Sequence, residues 1–476
     1  MTDLPAHATD WPARPSPQLA NRTGLPARSA GFLARSADMR SRFSHFPSCS
    51  APLLLAVWCL FTLTLTAQAQ SYQNWGPFVR HLNDTQRRTP LLRQVAHTVI
   101  AYQTPIGGWP KNIFYPNPTA EDSRHLAAVR QEGTEATNHE ATIDNGATTT
   151  EIRFLLHMAK ANCPSVQEKH PQDKQQGYQP ANQPANQADG QTDGQTDGQT
   201  ESPSGNQHVA TFIDSLCTAA LHGIEYLLCM QYSNGGYPQY WPRNDHYHAH
   251  ITFNDNAMTN ALRLLMDFAA ARSPFDVLDT IDTHQITVAL MRQRALKACV
   301  RGVQCILDCQ LRDSTGTPAI WCQQHHPVTL AAIGARAYEL PSFCTSESID
   351  ILRFLRQCQQ EPLLQDNTLF TAEELANAIS HAEQWLESHA LTGIRKEFYQ
   401  NEHRQRDFRM VPCLPEEHCP RLWARFYDLR TERPMFVDRD GIPQSRIEHI
   451  GWERRNGYAW FNADFDKYLS EQTRRQ

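Results

Sequence analysis

The stretches 95–111 (VAHTVIAYQTPIGGWPK), 223–239 (GIEYLLCMQYSNGGYPQ) and 302–320 (GVQCILDCQLRDSTGTPAI) share one pattern. Each is an apolar run of helical period that ends in Gln103, Gln231 or Gln310 and turns through a Gly–x–Pro loop. A second helical segment follows each: 142–156 (TIDNGATTTEIRFLL), 252–265 (TFNDNAMTNALRLL) and 346–355 (SESIDILRFL). These align on Arg153, Arg263 and Arg353, each followed by large apolar residues. The repeated unit is helix, Gly/Pro loop, helix, and such units stack their apolar faces on their neighbours. Three hairpins can close on themselves with the loops gathered at one end. The expected fold is therefore mainly α: an (α/α)3 toroid-like barrel of three helical hairpins with long irregular loops and short β-strands. Residues 378–390 add a further amphipathic helix, and from about residue 421 the chain turns aromatic and β-rich.

Outside the repeat the composition changes. Residues 164–207 are rich in Gln, Asp, Gly and Pro with a QTDG-type repeat, and such a stretch cannot bury enough apolar surface to fold. It reads as a disordered insertion in a surface loop, which a packed domain tolerates because loop closure costs grow only logarithmically with length. Near the start, Arg40 and Arg42 precede the apolar run 52–66, and Ala67-Gln68-Ala69 follows it. This is the pattern of a signal peptide. Residues 1–38 have no periodicity, so translation is expected to start at Met39, with 39–69 as the signal and 70–476 as the catalytic domain. An N-terminal anchor helix is the competing reading. The mature protein is expected to be secreted or periplasmic, off the membrane after cleavage, and monomeric.

The chain has 476 residues with 44 Lys+Arg against 50 Asp+Glu, a formal charge of −6, which argues against a basic nucleic-acid binder. An odd number of cysteines remains after the signal, so at least one thiol stays free. Cys413 and Cys419 flank a Pro-containing loop and are the better disulfide candidates, whereas Cys305 and Cys309 read as small core residues.

The polar clusters fall in the repeat's loops. Lys111 and Asn112 lead to Asp144-Asn145-Gly146; further on, His248 and His250 precede Asn254-Asp255-Asn256. Asp144 and Asp255 take nearly matching places at the starts of second helices. A lone Asp there is ordinarily a cap. Two of them among Asn side chains make a set of hard oxygen donors that suits Ca²⁺. No HExxH motif occurs, so zinc hydrolase chemistry is not indicated. Trp109, Tyr237, Tyr240 and Trp241 are candidate sugar-facing aromatics, and Lys111, Arg336, Arg425, Arg439, Arg454 and Arg455 are candidate carboxylate binders.

The segments GGWPKN, TIDNGAT, NGGYPQYWP, HITFNDNAM, WCQQHHPVT, ARAYELPS and ERRNGYAWF resemble polysaccharide lyase family 10, a class of pectate lyases, over about residues 75–465. The resemblance implies an α/α toroid-like fold and anti-β-elimination on polygalacturonate (pectate) with Ca²⁺. It places Arg336 as the base that takes the C5 proton, and Asp144 and Asp255 at the calcium and substrate centre. Lys111, Asn145, Asn254, Arg425 and Arg454 fall in motif positions that would touch substrate.

Arginine is ordinarily a permanent cation, so a base role implies an alkaline optimum and activity that chelation abolishes. His326 stands before Pro327 where the family pattern has Asp. Two other readings compete with a lyase: a glycoside hydrolase using Asp144 and Asp255 as its carboxylate pair, and a pectin-binding protein without turnover.

Overall fold

The computed structural model describes residues 74–163 and 203–474 apart from 244, 282–283 and 415–416. The expected signal segment and the insertion up to residue 202 lie outside the described residues. Helix begins at Pro203, so residues 203–207, expected at the end of the insertion, belong to a helix instead.

The protein is mainly helical with short strands. The helices are α1 (Trp75–Arg80), α2 (Asp84–Arg87), α3 (Pro90–Tyr102), α4 (Ala120–Glu132), α5 (Thr134–Asn138), α6 (Thr149–Asn162) and α7 (Pro203–Cys229). They continue with α8 (Ala257–Ala269), α9 (Gln285–Asp308), α10 (Thr345–Gln359), α11 (Ala372–Ser388), α12 (Trp452–Asn456) and α13 (Asp464–Thr473). Helix α3 shows why these segments are helical. Thr89 caps it, Pro90 takes the first position, where no N–H is needed, and Leu92, Val95, Ala96, Val99 and Tyr102 form one buried stripe. Helix α11 opens with a Thr371/Glu374 capping box. Helices α6 and α7, α8 and α9, and α10 and α11 pack against each other. Their apolar faces merge into one core that runs from Trp75 to Tyr468. Residues Gln207–Cys229 of α7 are long and apolar enough to cross a membrane, but α7 packs on α6 as a core helix.

The repeated Gln and Arg residues do equivalent work in each unit. Gln103 donates through Nε2 to the carbonyls of Gly107 and Ala219, at 2.7 and 2.9 Å. Gln231 reaches Gly235 and Ala298 at 3.0 and 2.8 Å, and Gln310 reaches Ala319 and Ala378 at 2.8 and 2.9 Å. Each Gln thus closes its own turn and ties it to the next first helix, linking α3, α7, α9 and α11 in order. The turns lie close to those helices. A Cβ on Gly107 would come within 2.4 Å of the His222 carbonyl, and one on Gly235 within 2.1 Å of that of Arg301. Both glycines also have positive φ, so no other residue fits without strain.

The arginines link the second helices in the same sequence. Arg153 of α6 pairs with Asp267 of α8 at 2.7 Å, Arg263 of α8 with Asp350 of α10 at 3.0 Å, and Arg353 of α10 with Glu471 of α13 at 2.9 Å. These contacts reveal a fourth unit, α11 and α13, beyond the three expected. Trp423 Nε1 donates to the Leu386 carbonyl at 2.7 Å, as Trp109 does to Val99 and Trp321 to Ile306. The unit is hard to read in sequence because Ala390 stands where a Gln would, and β4 (Ile394–Gln400) and β5 (Arg406–Pro412) interrupt it.

Short antiparallel pairings stitch the loops together. Thr142 bridges to both Trp109 and Tyr240. Strand β1 (Ile251–Thr252) pairs with β2 (Gln324–His325), and β3 (Ser342–Cys344) with β7 (Phe426–Asp428). Strand β6 (Trp423–Ala424) pairs with β8 (Phe461–Asn462). The loops of successive units are therefore neighbours in one stitched layer, and the polar clusters lie there. A disulfide joins Cys413 to Cys419, while Cys305 and Cys309 are buried free thiols.

The Arg263–Asp350 pair is mostly buried and bidentate, and Arg263 also bonds Gln357 and the Asp350 carbonyl. Arg263→Met strands Asp350 and lowers unfolding stability by about 3 kcal/mol, measurable by urea denaturation, whereas exposed Arg312→Met changes it by less than about 0.5 kcal/mol.

Candidate active site

Two single-turn 3-10 segments, Asp144–Gly146 and Asn254–Asn256, precede α6 and α8 and pack on each other. Asn145 (φ 53°) and Asp255 (φ 52°) both adopt left-handed backbone, which Asn and Asp tolerate best among side-chain-bearing residues. Asn145 therefore matches Asp255, and Asp144 matches Asn254. The near match of the two aspartates is offset by one residue, so the acid sits on the buried position in one turn and on the outward position in the other.

Asp144 is 4% exposed, and its Oδ2 accepts from Lys111 Nζ while Oδ1 has no hydrogen-bond partner. Burial works against the Lys111 charge, but the Asp144 carboxylate more than offsets this and the Lys111 pKa is raised. Asn145 donates to Asn112 Oδ1 at 3.0 Å. Asn254 donates to Asp255 Oδ2 at 2.8 Å and leaves its own buried Oδ1 without a partner. The Asp255 carboxyl is pushed up to about 6, first by desolvation and then by the negative charges of Asp144 and Glu347. A cleft of about 1080 Å³ runs from Asn145 and Asp255 past Thr149, Arg153, Asn260 and Arg263.

The arginines form a stack with tyrosines. Arg336 makes a fork with Glu339: Nε donates to Oε2 at 2.7 Å and Nη2 to Oε1. Its guanidinium also lies 4.9 Å from the Tyr338 ring centroid. Arg454, only 6% exposed, sits between Tyr338 at 4.3 Å and Tyr458 at 5.1 Å. Arg425 stacks on Tyr458 at 4.7 Å and pairs with buried Glu347. Cation–π contacts of this kind hold a guanidinium without cancelling its charge. The Nε atoms of Arg425 and Arg454 are buried without partners. Glu339 raises the Arg336 pKa, opposing its use as a base in this arrangement.

Several sequence candidates have other roles. Trp109 and Tyr237 are fully buried core residues and do not line a groove; Tyr240 is buried but its ring meets Lys111. Arg439 pairs with Glu453 at 3.0 Å, and Arg455 with buried Asp407 at 2.7 Å. His250 bonds Gln324 at 3.1 Å. Among the described residues, the His/Cys/Asp/Glu cluster with metal-like spacing is Cys413, Glu417 and Cys419, whose cysteines form the disulfide. The sequence reading missed Glu339, Glu347, Tyr338 and Tyr458. All of them lie in or beside the quoted motifs; Glu339 is three residues from Arg336, whereas Glu347 meets Arg425 and Tyr458 meets Glu339 only across long stretches of chain.

His326 occupies the place expected for Asp and does a carboxylate's work. Its Nδ1 accepts from the Val328 and Thr329 N–H groups at 3.2 and 3.1 Å, a double acceptance typical of Asp at a turn. An imidazole accepts there only while Nδ1 carries no proton. Neighbouring His325 is buried, its pKa lowered to about 4 by desolvation, so it is neutral.

The profile of the pectic acid lyase family matches residues 103–190 and 205–469. Among solved structures, the chain is similar to a family 10 polysaccharide lyase from Cellvibrio cellulosa, with 28% identity and a TM-score of 0.56, covering 82% of this chain and 94% of that one. It is also similar to an aspartate-to-alanine variant of that organism's lyase in complex with trigalacturonic acid, at 28% identity and a TM-score of 0.55, covering 82% and 95%. The curated protein sequences contain no match.

Two predictions follow from the site's charges and turns. Because the folded Asp255 pKa is raised, the folded state holds the extra proton between about pH 4 and 6, and stability falls as pH rises through that window. Asp255→Asn therefore raises unfolding stability at pH 7.5 by about 1 kcal/mol after allowance for solvent screening, read by urea denaturation, and gives no gain at pH 4. Separately, His326→Asp preserves stability at pH 7.5, whereas His326→Ala loses both turn bonds and costs about 1 kcal/mol in urea denaturation.

Proposed function

The chain belongs to the pectic acid lyase family, and from that premise we propose that it cleaves polygalacturonate by calcium-assisted anti-β-elimination with Arg336 as the base. It is a pectate lyase of the family 10 type. The complexed relative binds trigalacturonic acid, which supports polygalacturonate as the substrate here.

Charge balance carries the calcium reading. Lys111, Arg336, Arg425 and Arg454 are matched by Asp144, Glu339, Glu347 and Asp255, so the site has no net positive charge to offer a uronate once Asp255 is ionised. The unpartnered Oδ1 atoms of Asp144 and Asn254, with the Asp255 carboxylate, are the oxygen donors that a hard cation needs. Calcium bound there would supply positive charge to the substrate carboxylate and to the charge that develops at C5. The chain's own donors would be few, leaving room for waters and substrate oxygens.

The reaction removes the C5 proton, breaks the C4–O bond and forms a C4–C5 double bond. The glycosidic oxygen leaves with the bonding pair and takes a proton from solvent. The neutral Arg336 guanidine takes the C5 proton and becomes guanidinium. That requires pH high enough to populate the free base. Lys111 and Asn145 are proposed to bind uronate oxygens beside the paired turns, with Asn254 and Arg425 fixing the reacting sugar. Buried Arg454 is proposed to act from beneath, holding Tyr338 and Tyr458. The Gln and Arg links between successive units support closure of the helical units into a toroid-like ring. The signal pattern at 39–69 supports export. The family membership favours the lyase over a hydrolase or a non-catalytic binder.

Incubation with polygalacturonate yields 4,5-unsaturated products that absorb near 235 nm, and a strong chelator abolishes their formation; a hydrolase would give reducing ends without that absorbance. Arg336→Ala loses activity by roughly 10³-fold or more, with the substrate's KM little changed. Activity that survives chelation removes the calcium reading, and an active Arg336→Ala removes the base assignment.

A further inference from the structure

The Arg336 fork has more partners than a surface ion pair needs. Glu339 is 2% exposed, whereas the Arg336 side chain is 42% exposed. The Glu339 carboxylate accepts from Arg336 Nε, Arg336 Nη2, the Arg336 backbone N–H at 3.2 Å and the Tyr458 hydroxyl at 3.0 Å. The turn that carries both residues is closed by Glu339 N–H to the Arg336 carbonyl at 2.8 Å and Ala335 N–H to the Glu339 carbonyl at 3.0 Å. A buried acid with its oxygens filled by donors is a fixed point; an exposed guanidinium on it is held by two of its three nitrogens. Nη1 is the nitrogen left outside the fork.

We propose that Glu339, anchored by Tyr458, is the positioning residue that fixes the Arg336 plane so that Nη1 alone meets the C5–H of the substrate. This rests on the reading of Arg336 as base. The rotational freedom of a long side chain is removed before substrate arrives, which is where positioning contributes to rate. The device has a cost. The same carboxylate stabilises the protonated guanidinium, so orientation is obtained at the expense of basicity, and activity is confined to higher pH. The other groups that face Arg336 are the Tyr338 ring, Arg454 and Arg439 on that ring at 4.3 and 6.0 Å, the Tyr458 hydroxyl, and the Asp255 charge from the paired turns. Removing Glu339 takes away the nearest anion among them, so the guanidinium pKa drops.

The test is the pH profile of kcat for Glu339→Gln in the full chain on polygalacturonate with saturating calcium. The expected result is a kcat lowered roughly 10- to 100-fold at the optimum, little change in KM, and an acid limb moved about one pH unit or more towards lower pH. An acid limb that stays in place, with or without loss of rate, overturns the proposal, because a merely structural residue would lower activity without moving it. Tyr458→Phe keeps the aromatic stacking and is the second variant should Glu339→Gln not fold. It removes one of the two donors to Glu339 Oε1, leaving only Arg336 there, and lowers kcat several-fold with KM unchanged; a wild-type kcat overturns the anchoring. Arg336→Ala is measured beside them. If it retains activity, the base assignment fails on its own, independently of how Glu339 behaves.

Discussion

Asp144 and Asp255 are brought side by side by two turns that pack on one another, and two carboxylates in a partly desolvated place repel. That repulsion sets much of the surrounding chemistry. It adds to the raised Asp255 pKa, which desolvation lifts first and the charges of Asp144 and Glu347 lift further. Lys111 relieves one carboxylate by donating to Asp144, yet Asp144 keeps an unpartnered oxygen and so does the neighbouring Asn254. A structure that only needed stability would have replaced one acid by an amide. Keeping both fits the calcium proposal, in which a divalent cation would complete the balance.

The repeat explains how the turns reach each other. In the first three units a Gln side chain closes the turn after the first helix and ties it to the next one, and in the first two a glycine lets that turn lie on the next helix. The arginines then lock the second helices in order, each reaching an acid one unit on. Equivalent turns are thereby delivered to adjacent places, and the bridges at Thr142 tie the first two loops directly. Symmetry of position does not require identity of side chain. The acid sits on the buried site of the first turn and on the outward site of the second, so one repeated shape presents two different oxygen donors.

Much of this was legible because the signals are local. Gln103, Gln231 and Gln310 act on carbonyls of their own turns, and Arg153, Arg263 and Arg353 each precede large apolar residues in their second helices. The fourth unit was not legible, since Ala390 breaks the pattern and the β4–β5 hairpin displaces Trp423 from the helix it caps. Asp144 and Asp255 stood out as acids among amides, but the one-residue offset depends on which residue takes left-handed backbone, and that is not written in side-chain type alone. Trp109 and Tyr237 looked like sugar platforms beside glycines; close backbone approach buries them completely. His326 looked like a lost carboxylate, yet the acceptor that the turn needs survives in its ring nitrogen.

The stack of Arg336, Tyr338, Arg454, Tyr458 and Arg425 was least visible, because its members come from three separate segments. Its physical logic lies in how each cation is compensated. Arg336 and Arg425 are tied to buried carboxylates, which fix direction but cancel charge. Arg454 is held mainly by the Tyr338 and Tyr458 faces, with Glu453 the carboxylate beside it at 3.9 Å, so its charge is less fully paired than theirs. A site built from carboxylate-paired arginines alone would be rigid and neutral, with nothing to draw in a polyanion; one built from unpaired arginines would be attractive but floppy and costly to fold. Combining the two kinds gives rigidity at the atoms that must be aimed and residual charge beneath them. A protein of net charge −6 can still act on an acidic polymer, because the positive potential that matters is local: the less fully paired Arg454 guanidinium and, under the calcium proposal, a cation that the paired turns would hold.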